Sequence, residues 1–237
     1  MIRKIILLVI LLLLYQSVFA SQQVKIVTIK GEVKVRRGVE EIWQPAELGM
    51  LLEEIDTIQT GEKSEVTLKI EPGKNFKLNS SAQIDISDLR EVSQKEMQLY
   101  LMTKKISKIK PRKQRTPLRV GNVSVVHGLK AEDAEPAEKN KNKKAWRKET
   151  NGAKALFDFQ YYTNTVIKLN KILAKYSPQN DCGEIHFFLG KSFEALSKNG
   201  QAIDAFEVVL NNYQKQSCKD EAKSRYNYAR QAIKRLK

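Results

Sequence analysis

The sequence predicts a multi-domain α+β protein, in which a small all-β domain is followed by an α-helical repeat domain. Two patterns lead to this prediction. Apolar and polar residues alternate with period two between Val24 and Ile86, which is typical of strands with one buried face. In residues 149–237 apolar residues recur instead at intervals of three and four, as on one face of a helix. The predicted β domain spans residues 21–129 and the predicted helical domain spans residues 149–237.

The composition allows a folded protein with an excess of positive charge. The chain has 237 residues, 41% hydrophobic and 29% charged, which suffices for one large or two small domains. Its formal net charge is +15. Such an excess favours anionic partners, namely nucleic acid, lipid headgroups or acidic envelope polymers. The N-terminal sequence decides against nucleic acid, because it predicts export.

Residues 1–20 have the layout of a secretory signal peptide. Arg3 and Lys4 precede an apolar run from Ile5 to Leu14. The segment ends at Val18–Ala20, where small residues occupy the two positions that a signal peptidase reads. We expect cleavage after Ala20 and a periplasmic product. An uncleaved membrane anchor is the alternative, but the apolar run is short for a span of about 20 residues.

The predicted β domain consists of short strands separated by turns. The alternating apolar positions are Val24/Ile26, Val33/Val35, Val66/Leu68/Ile70, Phe76/Leu78 and Ile84/Ile86. Pro72-Gly73 marks a turn between two of these strands. Many short strands with turns between them predict a sandwich, barrel or solenoid. We expect Trp43 and Leu48 in its core, and we expect Asp56 to hydrogen-bond in a turn rather than act as an acid catalyst.

A series of residues in this domain follows the order of a known bacterial module. The series is Gly31-Glu32-Val33, Trp43, Gly49, Leu52, Asp56, Ile58 and Thr60-Gly61. On these residues the segment resembles the FecR domain, an all-β module of bacterial envelope proteins. Ile55 stands where that family usually has Gly before Asp. The resemblance implies an envelope module and leaves its ligand open.

The end of the predicted β domain contains a helix and returning strands. Leu99, Met102, Ile106 and Ile109 share one helical stripe, so we expect a helix near residues 90–110 that covers one face of the sheet. Residues 116–129 are predicted to return as strands. FecR-like domains often close on Val-Arg-Gly-Thr, and here His127 and Leu129 replace the Arg and the Thr.

Residues 130–148 are dense in charge and poor in apolar residues. Such a segment buries too little surface to offset its ordering entropy, so we predict a linker. Together with residues 104–115 it supplies two basic clusters. These clusters are either solvated charge or a surface for an anionic envelope component.

The second half of the chain contains an internal repeat. The stripe Val166, Leu169, Leu173 and Tyr176 recurs as Ile203, Phe206, Leu210 and Tyr213. A recurring stripe predicts stacked helix pairs. Leu189-Gly190, Phe193, Ala202 and Phe206 match positions of the tetratricopeptide repeat, which residues 149–237 therefore resemble. The small Gly190 is expected to let paired helices approach closely.

The two cysteines, Cys182 and Cys218, each lie just ahead of the first helix of a repeat. In a stacked array such positions are neighbours, and an oxidising compartment permits a disulfide between them. Their spacing matches neither a metal site nor a Cys-x-x-Cys redox pair.

The residue types and spacings favour binding over catalysis, and we expect no enzymatic activity, cofactor or metal. The first hypothesis is an exported scaffold for protein–protein interaction. Its partner-binding residues are expected on the first helix of each pair, which lines the concave side of such arrays. These residues are His186, Lys191, Glu194, Lys223 and Asn227. The alternative is a binder of peptidoglycan or another anionic envelope polymer, through the FecR-like domain and the basic clusters.

Overall fold

The computed structural model describes residues 23–107, 136–176, 181–215 and 220–237. The strands in these ranges are β1 (Val24–Lys30), β2 (Val33–Arg36), β3 (Trp43–Pro45), β4 (Leu51–Leu52), β5 (Thr57–Thr60), β6 (Glu65–Ile70), β7 (Lys74–Leu78) and β8 (Gln83–Asp85). A short 3-10 helix, Ile86–Leu89, follows them. The α-helices are α1 (Gln94–Ser107), α2 (Pro136–Asp158), α3 (Tyr162–Tyr176), α4 (Glu184–Ala195), α5 (Asn199–Lys215) and α6 (Asp220–Leu236). The described chain is mixed α+β, as predicted at this level.

The strands form two four-stranded antiparallel sheets, in the orders β4-β1-β6-β7 and β3-β2-β5-β8. The alternation in the sequence agrees with the strand pairing. Val24 lies opposite Ile70 in the first sheet, and Val35 lies opposite Ile58 in the second. All four side chains are buried, and both sheets contribute to one shared core. Each sheet turns its apolar face toward the other, which is the arrangement of a β-sandwich.

Two residues that the sequence predicts in this core lie elsewhere. Leu48 is 68% exposed, because it lies in the turn between β3 and β4 rather than on a strand. Trp43 is half-buried on the edge strand β3, and its ring centroid lies 5.5 Å from the guanidinium carbon of Arg36. Phe76 is the largest side chain that fills the core instead.

Asp56 has the predicted hydrogen-bonding role. Its buried carboxylate accepts hydrogen bonds from the backbone N–H groups of Gly38, at 3.0 Å, and Glu53, at 2.9 Å. The Arg37 guanidinium donates a third hydrogen bond at 2.6 Å. A buried carboxylate with three donors is satisfied. Asp56 therefore joins two loops of the sandwich.

Helix α1 covers a different surface from the one predicted. Met97 is fully buried and Leu101 is half-buried, and both pack against the helices rather than on the sheet. The two described members of the predicted stripe face away, with Leu99 63% and Met102 62% exposed. Met97 and Leu101 are four residues apart, so they lie on one face of the helix and turn it toward α3. The side chains of residues 105–144, including the predicted strands at 116–129 and His127, lie outside the described residues.

The predicted linker is helical for most of its length. Segment 130–148 enters α2 at Pro136, so position 149 lies inside this helix. Its Ala, Glu and Lys residues have high helix propensity, and proline suits a first helical turn. Trp146 and Glu149 are buried against neighbouring helices, with the Glu149 carboxylate accepting a hydrogen bond from the Tyr176 hydroxyl at 2.7 Å. The charged composition of the segment gives no sign of this burial, which supplies a tertiary contact.

Helices α2 to α6 each pack on the next helix in the chain. The predicted stripes face these contacts, since Val166, Leu169 and Phe206 are fully buried. A Cβ atom at Gly190 of α4 would lie 2.5 Å from the Phe206 ring of α5. The small residue therefore permits the close approach of the two helices that the sequence predicts. The assignment of these pairs to the tetratricopeptide family stays a prediction.

The β-sandwich and the helices share an extensive interface. Leu156 of α2 is buried in the sandwich core. Gly152 lies so close to β8 that a Cβ atom there would be 2.0 Å from the Gln83 carbonyl oxygen. The Asn164 amide of α3 donates a hydrogen bond to the Asp88 carbonyl oxygen at 2.8 Å. Apolar burial and a hydrogen bond from a helix side chain to the backbone thus hold the two halves against each other.

A buried ion pair network lies at this interface. The Lys168 side chain of α3 is 2% exposed, and its ammonium lies 2.8 Å from Asp85 Oδ2 and 2.7 Å from Asp88 Oδ2. Burial alone opposes the charged form of Lys168, but the Asp88 and Asp85 carboxylates outweigh it and raise its pKa. Burial likewise opposes the charged form of Asp85, yet Lys168 and a hydrogen bond from Thr57 lower the pKa of Asp85.

Among the described helices none combines the length and the apolar character that crossing a membrane requires.

Cys182 is disulfide-bonded, and Cys218 lies outside the described residues, so the pairing of the two stays a prediction. We expect iodoacetamide to label neither cysteine in the folded, periplasmically expressed protein, and to label both after reduction. Loss of the bridge should lower the free energy of unfolding by about 2 kcal/mol, because the cross-link restricts the unfolded chain. Mass spectrometry of the peptides measures the extent of alkylation at each cysteine. Full labelling of both thiols without reductant contradicts the pairing.

Candidate functional site

Helices α2, α4 and α6 lie side by side, although each is separated from the next by an intervening helix in sequence. Their common face carries a row of half-buried aromatic side chains, Phe157, Phe188, Phe187 and Tyr228, which we call the aromatic ladder. Successive ring centroids in this order are 5.5, 5.6 and 5.4 Å apart, with interplanar angles of 73°, 84° and 78°. Edge-to-face contacts of this kind fix the rings relative to one another.

Lys191 of α4 lies over the aromatic ladder. Its Nζ atom is 4.8 Å from the ring centroid of Phe157, 5.7 Å from Phe187 and 5.6 Å from Tyr228. Each ring attracts the ammonium through its quadrupole. No carboxylate within the described parts of the chain forms an ion pair with Lys191. The ladder therefore holds a positive charge in a defined place without neutralising it.

A carboxylate and a second cation lie at one end of the ladder. Glu194 of α4 accepts a hydrogen bond from the Tyr228 hydroxyl at 3.1 Å and a short one from the Arg235 guanidinium of α6. Burial, and then the Glu194 carboxylate, raise the pKa of Tyr228. These contacts tie α4 to α6. Glu194 is thus occupied within the chain, and Lys191 remains the charge available to a ligand.

The five predicted partner-binding residues differ in their surroundings. Lys191 and Glu194 both lie beside Tyr228, so the structure brings these two together. Lys223 and Asn227 are exposed on α6. Within the described residues no hydrogen bond or ion pair links either of them to Lys191 or Glu194.

His186 has the character of a packing residue. It is half-buried, and its buried Nδ1 atom has no hydrogen-bond partner in the described chain. Burial lowers the pKa of His186, and the Asp181 carboxylate opposes this shift. The imidazole is therefore neutral near pH 7 and contributes no charge to a partner.

The residue-by-residue reading of the sequence missed the aromatic ladder. Its rings come from three helices, and Phe157 is far from Tyr228 in the chain. The adjacent Phe187-Phe188 pair, followed by Lys191 at a spacing of one helical turn, is the signal that could have indicated it. Only the side-by-side packing of α2, α4 and α6 brings the rings into one row.

Within the ranges that the structure describes, no three His, Cys, Asp or Glu side chains converge in a way that could hold a metal ion. Comparisons of the chain with protein-family models, with curated proteins and with solved structures give no match.

Proposed function

We propose that this chain is an exported, non-enzymatic protein of the bacterial cell envelope that acts as a scaffold for protein–protein interaction. The observation that carries the proposal is the Lys191 ammonium, held over three rings of the aromatic ladder without an acidic partner. The signal-peptide pattern of residues 1–20 supports a periplasmic location. The partner's contacting segment is acidic with apolar side chains beside the acid.

The aromatic ladder suits such a segment for two reasons. Half-exposed rings add buried apolar area when a partner covers them, at about 25 cal/mol per Å². The rings are also pinned by one another, so binding costs little side-chain entropy. Lys191 then pairs with a carboxylate in a site from which the partner excludes water, which strengthens the interaction. Aromatic and cationic residues of this kind dominate binding energy at protein interfaces.

The test is photo-cross-linking in the native envelope from a position beside the ladder. Ala195 is exposed on α4 and follows Lys191 by one helical turn, so benzoylphenylalanine in its place samples the same face. We expect a discrete cross-linked protein. The same probe at Val27, on the outer surface of the sandwich, should not capture that protein.

Lys191→Met, which keeps an apolar stem and removes the charge, should weaken the cross-link about tenfold, the effect of about 1.4 kcal/mol. Lys69→Met is the matched control, since Lys69 is an exposed lysine on β6. A cross-link at Ala195 that survives Lys191→Met unchanged contradicts the role of the ladder.

Binding of peptidoglycan or another anionic envelope polymer is a second candidate function. The formal net charge of +15 supports it. The side chains of the basic clusters at residues 104–115 and 139–148 lie mostly outside the described residues. Ionic strength separates the candidates, because attraction between exposed charges is screened by salt and apolar contact is not. A polymer complex that dissociates steeply with salt supports the second function, and a salt-resistant protein cross-link supports the first.

A further inference from the structure

A cleft of about 620 Å³ lies between the sheet β3-β2-β5-β8 and helices α2 and α3. The sheet contributes Arg36, Trp43 and a pair of glutamines to its lining, and the helices contribute lysines and Tyr176. The cleft shares no residue with the aromatic ladder. Because both halves of the chain form its walls, it exists only in the assembled fold.

The lining of the cleft is positively charged. It contains five cationic side chains and two carboxylates, those of Asp85 and Glu149. Asp85 is paired with the buried Lys168, and Glu149 is paired with Lys175 at 3.0 Å. Lys171 is exposed on α3 and forms no ion pair in the described parts of the chain, although its charge helps to lower the pKa of Asp85. Both carboxylates of the cleft are therefore paired with lysines, and the cleft keeps a net positive charge.

Arg36 is held in a defined orientation in the cleft. Its guanidinium lies beside the Trp43 ring, and its Nη2 donates a hydrogen bond to Thr57 Oγ1 at 3.1 Å. Thr57 Oγ1 donates in turn to Asp85 Oδ1 at 3.0 Å. The guanidinium has five N–H donors, and within the described chain only the hydrogen bond to Thr57 engages one of them. An oriented guanidinium with unused donors is suited to bind a carboxylate or phosphate.

The uncharged part of the lining suits a hydroxyl-rich ligand. Gln59 of β5 and Gln83 of β8 lie opposite each other, and neither side-chain amide makes a hydrogen bond to the described chain. An amide both donates and accepts, as recognition of a hydroxyl group requires. The half-buried Trp43 and Tyr176 rings add apolar surface between the polar groups. Ligand sites in proteins combine such surfaces with a few polar groups.

We propose that this cleft binds an acidic saccharide, with Arg36 and Lys171 on its acid groups and Gln59 and Gln83 on its hydroxyls. The proposal rests on the second candidate function and gives it a site and a ligand class. The unpaired amides favour a saccharide over an acidic peptide, whose side chains offer carboxylates without hydroxyls. The site is separate from that of the protein partner.

The test is calorimetric titration of the mature full chain at low salt with a galacturonate trisaccharide. We expect the uncharged galactose trisaccharide to bind at least about tenfold more weakly, since hydrogen bonds to charged groups are the stronger ones. Arg36→Gln should weaken binding of the acid about tenfold, and Lys171→Gln about twofold to fivefold because that lysine is exposed. Lys69→Gln should leave the affinity unchanged. Thermal unfolding checks that each variant is folded.

Three results would overturn the proposal. The first is equal binding of the charged and uncharged trisaccharides. The second is tighter binding of a triglutamate peptide, which would assign the cleft to a peptide. The third is a pattern of variants that does not point to the cleft. Lys69→Gln would weaken binding as much as Lys171→Gln does, or neither Arg36→Gln nor Lys171→Gln would weaken it. If the chain co-sediments with an anionic envelope polymer and the cleft variants do so equally, polymer binding stands and the cleft is not its site.

Discussion

Lys168→Met is expected to lower the free energy of unfolding at pH 7 by about 3–5 kcal/mol. Lys168 is 2% exposed and forms ion pairs with both Asp85 and Asp88. Methionine fills the space of the lysine stem but leaves the buried Asp88 carboxylate and the partly exposed Asp85 carboxylate without their ion-pair partner. Removing one partner of a buried ion pair is costly because the remaining charge is uncompensated. Chemical denaturation of the two proteins measures the difference.

The same variant should respond differently to acid. In the wild-type protein Lys168 and a hydrogen bond from Thr57 lower the pKa of Asp85 despite its burial. A carboxyl with a lowered pKa stabilises the fold above its unfolded pKa of about 4, and this contribution is lost as the pH falls through the folded pKa. Without the ammonium, the main group that offsets the burial of Asp85 is lost, so the pKa of Asp85 should rise and its protonation should relieve the variant. The stability difference should therefore shrink below about pH 4.

Lys171→Met is the matched control for this experiment. It lies on the same helix, less than one turn away, and is exposed, and its charge acts on Asp85 without forming an ion pair. Its free energy of unfolding should stay within about 0.5 kcal/mol of wild type. If Lys168→Met behaves like this control at pH 7, or if its deficit grows in acid, the network does not stabilise the interface.

Gly152→Ala is expected to lower the free energy of unfolding by about 3 kcal/mol. The added Cβ atom would lie 2.0 Å from the Gln83 carbonyl oxygen, which belongs to a strand backbone and cannot rotate away. Helix α2 must shift off β8, which also exposes Leu156. Alanine favours a helix over glycine by about 1 kcal/mol, so the overlap has to exceed this gain. Amide hydrogen exchange should rise in β8 and in α2 around Gly152.

Gly200→Ala in α5 is the control for helix propensity alone. Apart from its chain neighbours and the backbone of its own helix, no atom lies within 4 Å of the position that its Cβ would take. Its free energy of unfolding should be unchanged or raised by up to about 1 kcal/mol. A Gly152→Ala variant as stable as Gly200→Ala would mean that α2 does not press on β8.

Both predictions concern the interface that forms the cleft. Lys168 lies in the cleft wall, and Gly152 sets the distance between α2 and β8. A wall held by buried ion pairs and close backbone contact is preformed, so a ligand need not order it. Gly152→Ala should therefore weaken saccharide binding and lower the free energy of unfolding together. Lys171→Gln should weaken saccharide binding without lowering the free energy of unfolding.

The local patterns of the sequence determine the elements of this protein. Period-two alternation predicts the strands because side chains on a strand point to opposite faces, and Val24, Val35 and Ile58 are buried accordingly. The stripe with Val166 and Leu169 predicts a helix because residues three or four apart lie on the same face of a helix with 3.6 residues per turn. Asp56 and Gly190 were also predictable, since each acts through a neighbour that a turn or a helix pair supplies.

Only the tertiary structure decided how these elements use their faces. Leu48 and Leu99 are apolar and yet exposed, because a turn and the orientation of α1 place them away from a partner. The charged segment 130–148 has no apolar pattern, but α2 packs on β8, which is distant in sequence, and on α3, the next helix in the chain. In the sequence alone Lys168 resembles any solvated lysine, and its pairing with Asp85 and Asp88 is visible only in the structure. Burial, pairing and the aromatic ladder depend on which remote residues meet, and that information lies in the packing rather than in any local pattern.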